Sequence, residues 1–532
     1  MADGSRSSSL RPPQAIAYSV WLRWVMPSVA DLIFLALLGV LVFTPLSVKL
    51  LGDAGIGWHI RNGQQILATH TIPRFDSFSS SLWLHWFAWE WLYDIAVGQL
   101  EAWCGLNGVV WLTAVVIATV FALTFRLAVS RGTNLLLALL LTLLAMSASM
   151  IHFLARPHVL SWLFALAWFW VLDSTDRNGL RSQRGRWLWA LPLSMLLWVN
   201  VHGGFLLGFV LLGIYWLASL WTWMTMRETG LQDALEKIAS GQRVRQLTGV
   251  GLLSIAASFI SPYGWKLHAH IYRYLSNRFL MDHIDEFQSP NFHGIAQRCF
   301  LALLLIAIAA LAAGARKLKL SEILLALFAV YAGLYASRNI PLSSVFLVLI
   351  VGPVLPSLKS WGLVRRMSAV DSHLRGHFWP MFATAVVLLL AANGGRAGSA
   401  LLMNAHFDPE KMPVEAVNFI QQSGVKVPVL SVDYWGGYLI YRLYPHNKVV
   451  IDDRHDMYGE PHLRFYLAMV RGEPGWEGLL KGHSCLLVPR RAALAAMVSE
   501  TPGWNSVYSD DVAIVFVRNG QSREDTDRAP SR

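Results

Sequence analysis

A chain of 532 residues that is 55% hydrophobic and only 14% charged, with a mean hydropathy of +0.44, lies outside the range of soluble globular proteins. Its net charge of +11 is spread over short loops between apolar runs, a pattern that orients membrane proteins and argues against nucleic-acid binding. The three cysteines, Cys104, Cys299 and Cys485, are far apart and give neither a disulfide framework nor metal spacing.

In chain order, residues 1–27 are polar and rich in Ser and Pro, and no small-residue cleavage site follows the first apolar run. They are expected to form a cytoplasmic tail before an uncleaved first span. About eleven transmembrane helices are expected, near 28–49, 107–128, 134–154, 158–174, 187–201, 205–225, 247–262, 299–315, 321–337, 340–357 and 378–394. With the N-terminus inside, the inner segments carry 20 Lys and Arg and the outer ones before residue 395 carry 9. That asymmetry supports this orientation and puts the chain after about residue 395 outside.

The expected fold is therefore an α-helical polytopic membrane protein, residues 28–394, with a first outer loop over about 50–106. Beyond it the pattern turns to strand and helix alternation. Val425–Val432, Lys448–Ile451, Cys485–Val488 and Val512–Val517 read as strands, and His462–Val470 and Ala492–Ser499 as helices. This predicts a small, largely parallel α/β domain at 395–519 in the periplasm. Residues 520–532 are charged and expected to be disordered.

Nearly all the polar clusters sit at span ends facing away from the basic loops. Asp53 follows directly on a span, where a rigid scaffold can aim a carboxylate as a general base; the bland reading is a cap for a helix starting near Ile56. His59 shares that loop. Glu90 lies in the aromatic stretch Trp86–Tyr93, where an unpaired carboxyl requires a partner or a role. Asp94 follows one helical turn later.

Arg156-Pro157-His158, Asn200-Val-His202 and Ser337-Arg338-Asn339 are polar turns between spans. Converging Arg and His side chains there suit a lipid-linked phosphate, because a guanidinium grips phosphate oxygens in a fork. Snorkelling cations are the alternative. His268 and His270 do not share a helical face, so no metal site is read and no cofactor is called for. In the tail, Asp433, Asp452, Asp453 and Arg454 fall at strand ends and read first as loop caps and ion pairs.

The first outer loop, Asp53…Trp-His-Ile-Arg-x-Gly…Ile-Pro-x-x-Asp-x-Phe-Ser, resembles that of bacterial GT-C glycosyltransferases, the superfamily of protein O-mannosyltransferases and lipid A aminoarabinose transferases. The Arg-Pro-His turn, the Asn-x-His-Gly turn, Ser261-Pro-Tyr-Gly, Trp435-Gly-Gly-Tyr and Ile451-Asp-Asp-Arg are similar to the same group. The resemblance implies inverting transfer of a sugar from a polyprenyl-phosphate donor to an extracytoplasmic acceptor hydroxyl on a glycan, lipid or protein. It makes Asp53 the base, with His59 and Glu90 orienting groups around it. Asp76, Arg156, His158, Asn200, His202 and Arg338 would bind substrate. Better-studied members pair two acidic residues in this loop. Here Ala54 follows Asp53, so the second carboxylate is expected at Asp76 or Glu90. The competing reading is a non-enzymatic envelope scaffold or a lipid-linked glycan transporter. Few ionisable residues lie mid-span, which weighs against transport.

Overall fold

The computed structural model describes residues 20–81, 84–178, 183–313, 316–355 and 362–519. Most of the expected N-terminal tail and all of 520–532 lie outside the described residues. Ser28 opens the first long helix, Val29–Phe43, with a capping box. Its hydroxyl accepts the Asp31 N–H at 3.3 Å, and the Asp31 carboxylate accepts the Ser28 N–H at 2.8 Å. Asp31 also hydrogen-bonds His377 at 2.9 Å, beside the Phe378–Ala392 helix, so the first and last apolar helices are tied at one end.

Among the described residues each expected span overlaps helix, but fewer than eleven of these helices are long and apolar enough to cross a bilayer alone. Among the described residues, six stretches are long and apolar enough: Arg23–Phe43, Trp91–Ser130, Leu135–His152, Gly203–Thr225, Ile295–Ala313 and Ser337–Val354. Leu320–Tyr335 and Phe378–Ala392 are apolar but shorter. The other three miss for local reasons. His158–Asn178 ends in Asp173, Asp176 and Arg177. Leu191–Trp198 is only eight residues long, with Pro192 in its first turn. Leu231–Ser258 is polar over its first half. The chain is a multi-pass membrane protein built around Ile340–Val351, a helix buried at every residue except Leu342.

The tail begins with a short hairpin, β1 (Arg396–Ala397) and β2 (Ala400–Leu401), followed by a helix at Val414–Ser423. A four-stranded sheet is then made from β3 (Val429–Ser431), β4 (Cys485–Pro489), β5 (Trp504–Ser509) and β6 (Ala513–Arg518), in the order β3-β4-β6-β5. Only β3 and β4 are parallel, with Val429 opposite Cys485. The β4/β6 and β6/β5 pairs are antiparallel, so the sheet is mixed and the expectation of a largely parallel one is corrected. The cause is the short connection from Ser509 to Ala513, which can only reverse the chain.

This α/β unit is stitched to the first outer loop. The Ser80 N–H donates to the Val449 carbonyl at 2.8 Å, and the Val449 N–H donates to that of Phe78 at 3.1 Å. The stretch at Val449 that was expected to be a strand is thus a pair of single-residue bridges, to Ser79 on one side and Val429 on the other. Beneath them Arg454, 1% exposed at its side chain, bonds Asp452 at 2.7 and 2.8 Å and Asp76 at 2.9 Å. Its guanidinium lies 4.6 Å from the Trp86 ring. A buried guanidinium needs such complete pairing, and breaking it would leave uncompensated charge.

Candidate functional site

The site grows from the turn that follows the first long helix. Asp53 accepts the Gly55 N–H at 2.8 Å in the turn before the Ile56–Thr69 helix, whose N-cap is Gly55 with no side-chain cap, so Asp53 is not the cap that the bland reading expected. The same carboxylate also receives a fork from Arg156: Nε donates to Oδ2 at 2.9 Å and Nη2 to Oδ1 at 3.0 Å. Nη2 donates further to Asp453 Oδ2 at 2.7 Å, and the Trp58 indole donates to Asp453 Oδ1 at 3.0 Å. The chain crosses this network at Gly55, where a Cβ would sit 2.8 Å from the Arg156 guanidinium carbon. A side chain at this position would have to displace the Asp453 and Arg156 pair.

Burial works against the charge on Arg156, but Asp53 and Asp453 more than reverse it and hold the guanidinium fully protonated. Burial also lifts the Asp453 carboxyl to about 6 against the pull of Arg156, with Asp53 and Asp452 adding to the rise. The three side chains line a cavity of about 520 Å³ together with Gly52, Ala54, Leu154, Lys411, Met412 and Tyr434. One wall therefore comes from the membrane part and the other from the tail.

Behind Arg156 lies a second cluster. Glu90, at the start of the Trp91–Ser130 helix, is flanked by His59 Nε2 at 3.8 Å and His202 Nε2 at 3.7 Å. A bond of 2.6 Å joins His59 Nδ1 to Asp94, whose other oxygen accepts the Asn62 amide at 2.6 Å. His202 Nδ1 accepts the Gly204 N–H at 3.0 Å, which assigns the ring proton to Nε2, facing Glu90. Burial keeps His59 well below the usual imidazole range, helped by Arg156 and His202. Burial, with Arg338 and Arg156, pushes His202 down to about 3. Both rings are neutral. Burial pushes the Glu90 carboxyl up to about 8 in spite of Arg156, so it holds its proton at neutral pH.

The remaining expected residues divide. Arg338 stacks on Phe287 at 4.5 Å and pairs with Glu286 at 3.3 Å. Against burial, Arg338 and Arg156 hold the Glu286 carboxyl down at about 2. His158 spends Nε2 on the His152 carbonyl at 3.0 Å. Asn200, expected to bind substrate, is instead a clamp: it accepts the Trp91 indole N–H at 2.8 Å and donates to the Leu196 and Ile260 carbonyls at 2.9 Å each. Asp76 is likewise spent on Arg454 and on the Phe78 and Ser79 N–H groups. The carboxylate that shares Arg156 with Asp53 is neither Asp76 nor Glu90 but Asp453, first read as a loop cap or ion-pair partner. Lys411 and Tyr434 carried no sequence signal of their own, although Tyr434 adjoins the Trp435-Gly-Gly-Tyr stretch. Among the described residues, no group of three or more His, Cys, Asp or Glu is arranged to hold a metal ion.

No family model matches the sequence, and no curated protein matches it. Solved structures do. The archaeal oligosaccharyltransferase AglB from Archaeoglobus fulgidus, in complex with an inhibitory peptide and a dolichol-phosphate, superimposes with a TM-score of 0.53 at 12% identity, over 86% of this chain and 69% of that one. ArnT from Cupriavidus metallidurans matches in its undecaprenyl phosphate complex (TM-score 0.45, 14% identity, 92% of this chain and 98% of that one). Its apo form gives a TM-score of 0.49 at 12% identity over 91% and 97%. At such identity the likeness to AglB is one of fold alone.

Proposed function

We propose that this chain is an inverting membrane glycosyltransferase that moves a sugar from a polyprenyl-phosphate donor to a hydroxyl on an extracytoplasmic glycan, lipid or protein. It would lie in a bacterial inner membrane with the N-terminus cytoplasmic and the tail domain periplasmic. The observation that carries the reading is the placement of Asp53 and Arg156 on one cavity of about 520 Å³, beyond the end of an apolar helix, in a fold similar to that of AglB. A base and a phosphate-binding cation in one cavity are what such a transfer requires.

In this mechanism Asp53 takes the acceptor's proton as the acceptor oxygen forms its bond to the anomeric carbon. The bond from that carbon to the donor phosphate oxygen breaks, and its electron pair leaves with the polyprenyl phosphate. Among the described residues Arg156 Nη1 makes no protein hydrogen bond, so that edge of the guanidinium can meet the phosphate, with Lys411 across the cavity. The neutral pair His59 and His202, with protonated Glu90 between them, offers hydrogen bonds without adding charge beside Arg156.

The test is transfer of a labelled sugar from a polyprenyl-phosphate donor by the purified full-length protein. Asp53→Asn should lower turnover by about 100-fold or more, the usual worth of a general base. Equal turnover in the two proteins would remove Asp53 from the mechanism. Unchanged envelope glycans in a deletion strain would favour the scaffold instead.

A further inference from the structure

Two carboxylates, on residues 53 and 453, share one guanidinium at hydrogen-bonding distance. They differ in exposure and in what holds them besides Arg156. Asp453 has both oxygens engaged, one by Arg156 and one by the Trp58 indole. Trp58 is itself fixed, stacked on His59 with ring centroids 3.6 Å apart and set edge-on to Trp86 at 5.9 Å. Asp53 also has both oxygens engaged, by the Arg156 fork and the Gly55 N–H, but among the described residues Arg156 is its one side-chain partner, and its side chain is 27% exposed against 16% for Asp453.

The charges are equally telling. Asp53 and Arg156 alone would form a neutral pair, and a carboxylate gripped by a bidentate guanidinium is a poor base. If it took a proton, the guanidinium would be left half-buried without a counter-charge. With Asp453 present the trio carries one excess negative charge. After Asp53 is protonated, Arg156 and Asp453 still balance.

We propose that Asp453 is the second carboxylate of the transfer centre: it retains the Arg156 guanidinium while Asp53 turns to the acceptor hydroxyl, so the tail domain completes the site. This rests on the transferase reading above. Asp453 is a positioning residue, acting on Asp53 through Arg156. The other groups facing the pair are Asp452 and His455 beside Asp453, and Lys411 and Tyr434 on the cavity wall. None of these donates to either oxygen of Asp453, so none replaces its link to Arg156.

The experiment measures transfer from the labelled donor by full-length wild type, Asp53→Asn, Asp453→Asn and Asp453→Glu, as kcat, KM and pH profile. Asp453→Asn should lower kcat by about tenfold or more while changing the acceptor KM little, the mark of a weakened base. Its acid limb should move to lower pH, because removing a negative neighbour leaves the Arg156 charge to a single carboxylate. Asp453→Glu, which keeps the charge, should recover most of kcat. A shifted limb can only be read from folded, active enzyme, so misfolding does not imitate it. Wild-type kcat and an unmoved limb in Asp453→Asn, with Asp53→Asn inactive, would overturn the role of Asp453 and leave the transferase reading standing. Asp453→Glu as impaired as Asp453→Asn would also overturn it. No transfer by wild type, or undiminished transfer by Asp53→Asn, would overturn both.

Discussion

Glu90 holds a proton that an unfolded chain would give up. Its carboxyl is pushed from 4.5 to about 8 by burial, with Asp456 adding to the rise while Arg156 opposes it. A folded-state pKa above the unfolded one means that the folded state binds the proton more tightly. The associated stability is fully present below about pH 4.5 and is lost as pH rises through about 8. Glu90→Gln keeps the shape and a donor but has nothing to titrate. The melting temperature of the variant relative to wild type should therefore rise between pH 5.5 and pH 8.5 in matched detergent. A gap that stays constant would mean that Glu90 is charged or solvated in the folded protein. At this scale the sequence was readable wherever a polar residue stood against its surroundings, as Asp53 does after a span or Glu90 among tryptophans. What each side chain pairs with was not readable. Asp53 and Asp453 are four hundred residues apart, and no local spacing reports such a meeting. Asp76 and Asn200 stood out just as clearly, yet their polarity is consumed in holding backbone and Arg454 in place.

At the scale of elements, the tail meets the membrane part through backbone-to-backbone packing of the Ile56–Thr69 and Asp433–Leu443 helices. A Cβ on Gly57 would overlap the Gly437 carbonyl, and one on Gly437 would overlap that of Ala54. Two helices can approach this closely only where both lack side chains. Gly57→Ala should cost about 1–3 kcal/mol, as overpacking does, and displace Asp453 from Arg156. Gly213, also helical, has open space around its missing Cβ. Gly213→Ala is thus the control and should leave the protein as stable or slightly more so. Equal melting temperatures for Gly57→Ala and wild type would show that the two helices separate readily. The core strands β4 and β6 were legible from their apolar runs. The edge strand β5 was missed because its outer positions Asn505, Ser506 and Ser509 are polar and exposed, and a register shift between Ser506 and Tyr508 breaks the alternation. The contact through Gly57 leaves no hydrophobic periodicity to find, since it is made by absent side chains.

Across the whole molecule, two polar assemblies are separated by apolar helices. One is the cavity with its histidine and carboxylate cluster. The other gathers the basic loops. Arg131, 2% exposed at its side chain, pairs with Asp173 and, at 2.7 Å, with Glu322. Arg316 reaches Glu322 at 2.6 Å, Arg177 reaches Asp173 at 2.7 Å and Arg243 reaches Asp176 at 2.6 Å. Two of these acids, Asp173 and Asp176, close the His158–Asn178 helix, whose other end begins at the Arg156 turn. The charge count of the loops therefore corresponds to a physical division, and it makes a directional prediction. Lys and Arg accumulate on the cytoplasmic side, so the Arg131 assembly should face the cytoplasm and the cavity the periplasm. Cys104 and Cys485 are buried, so replacing Cys299 with Ser gives a background suited to single exposed cysteines. In that background Glu410→Cys, at an exposed position leading into the tail domain, should react with a membrane-impermeant maleimide in intact spheroplasts. Glu228→Cys, 58% exposed on the basic side, should react only after the membrane is opened. The reverse pattern would place the cavity in the cytoplasm, where an extracytoplasmic acceptor could not reach it, and the proposed reaction would fall with the orientation.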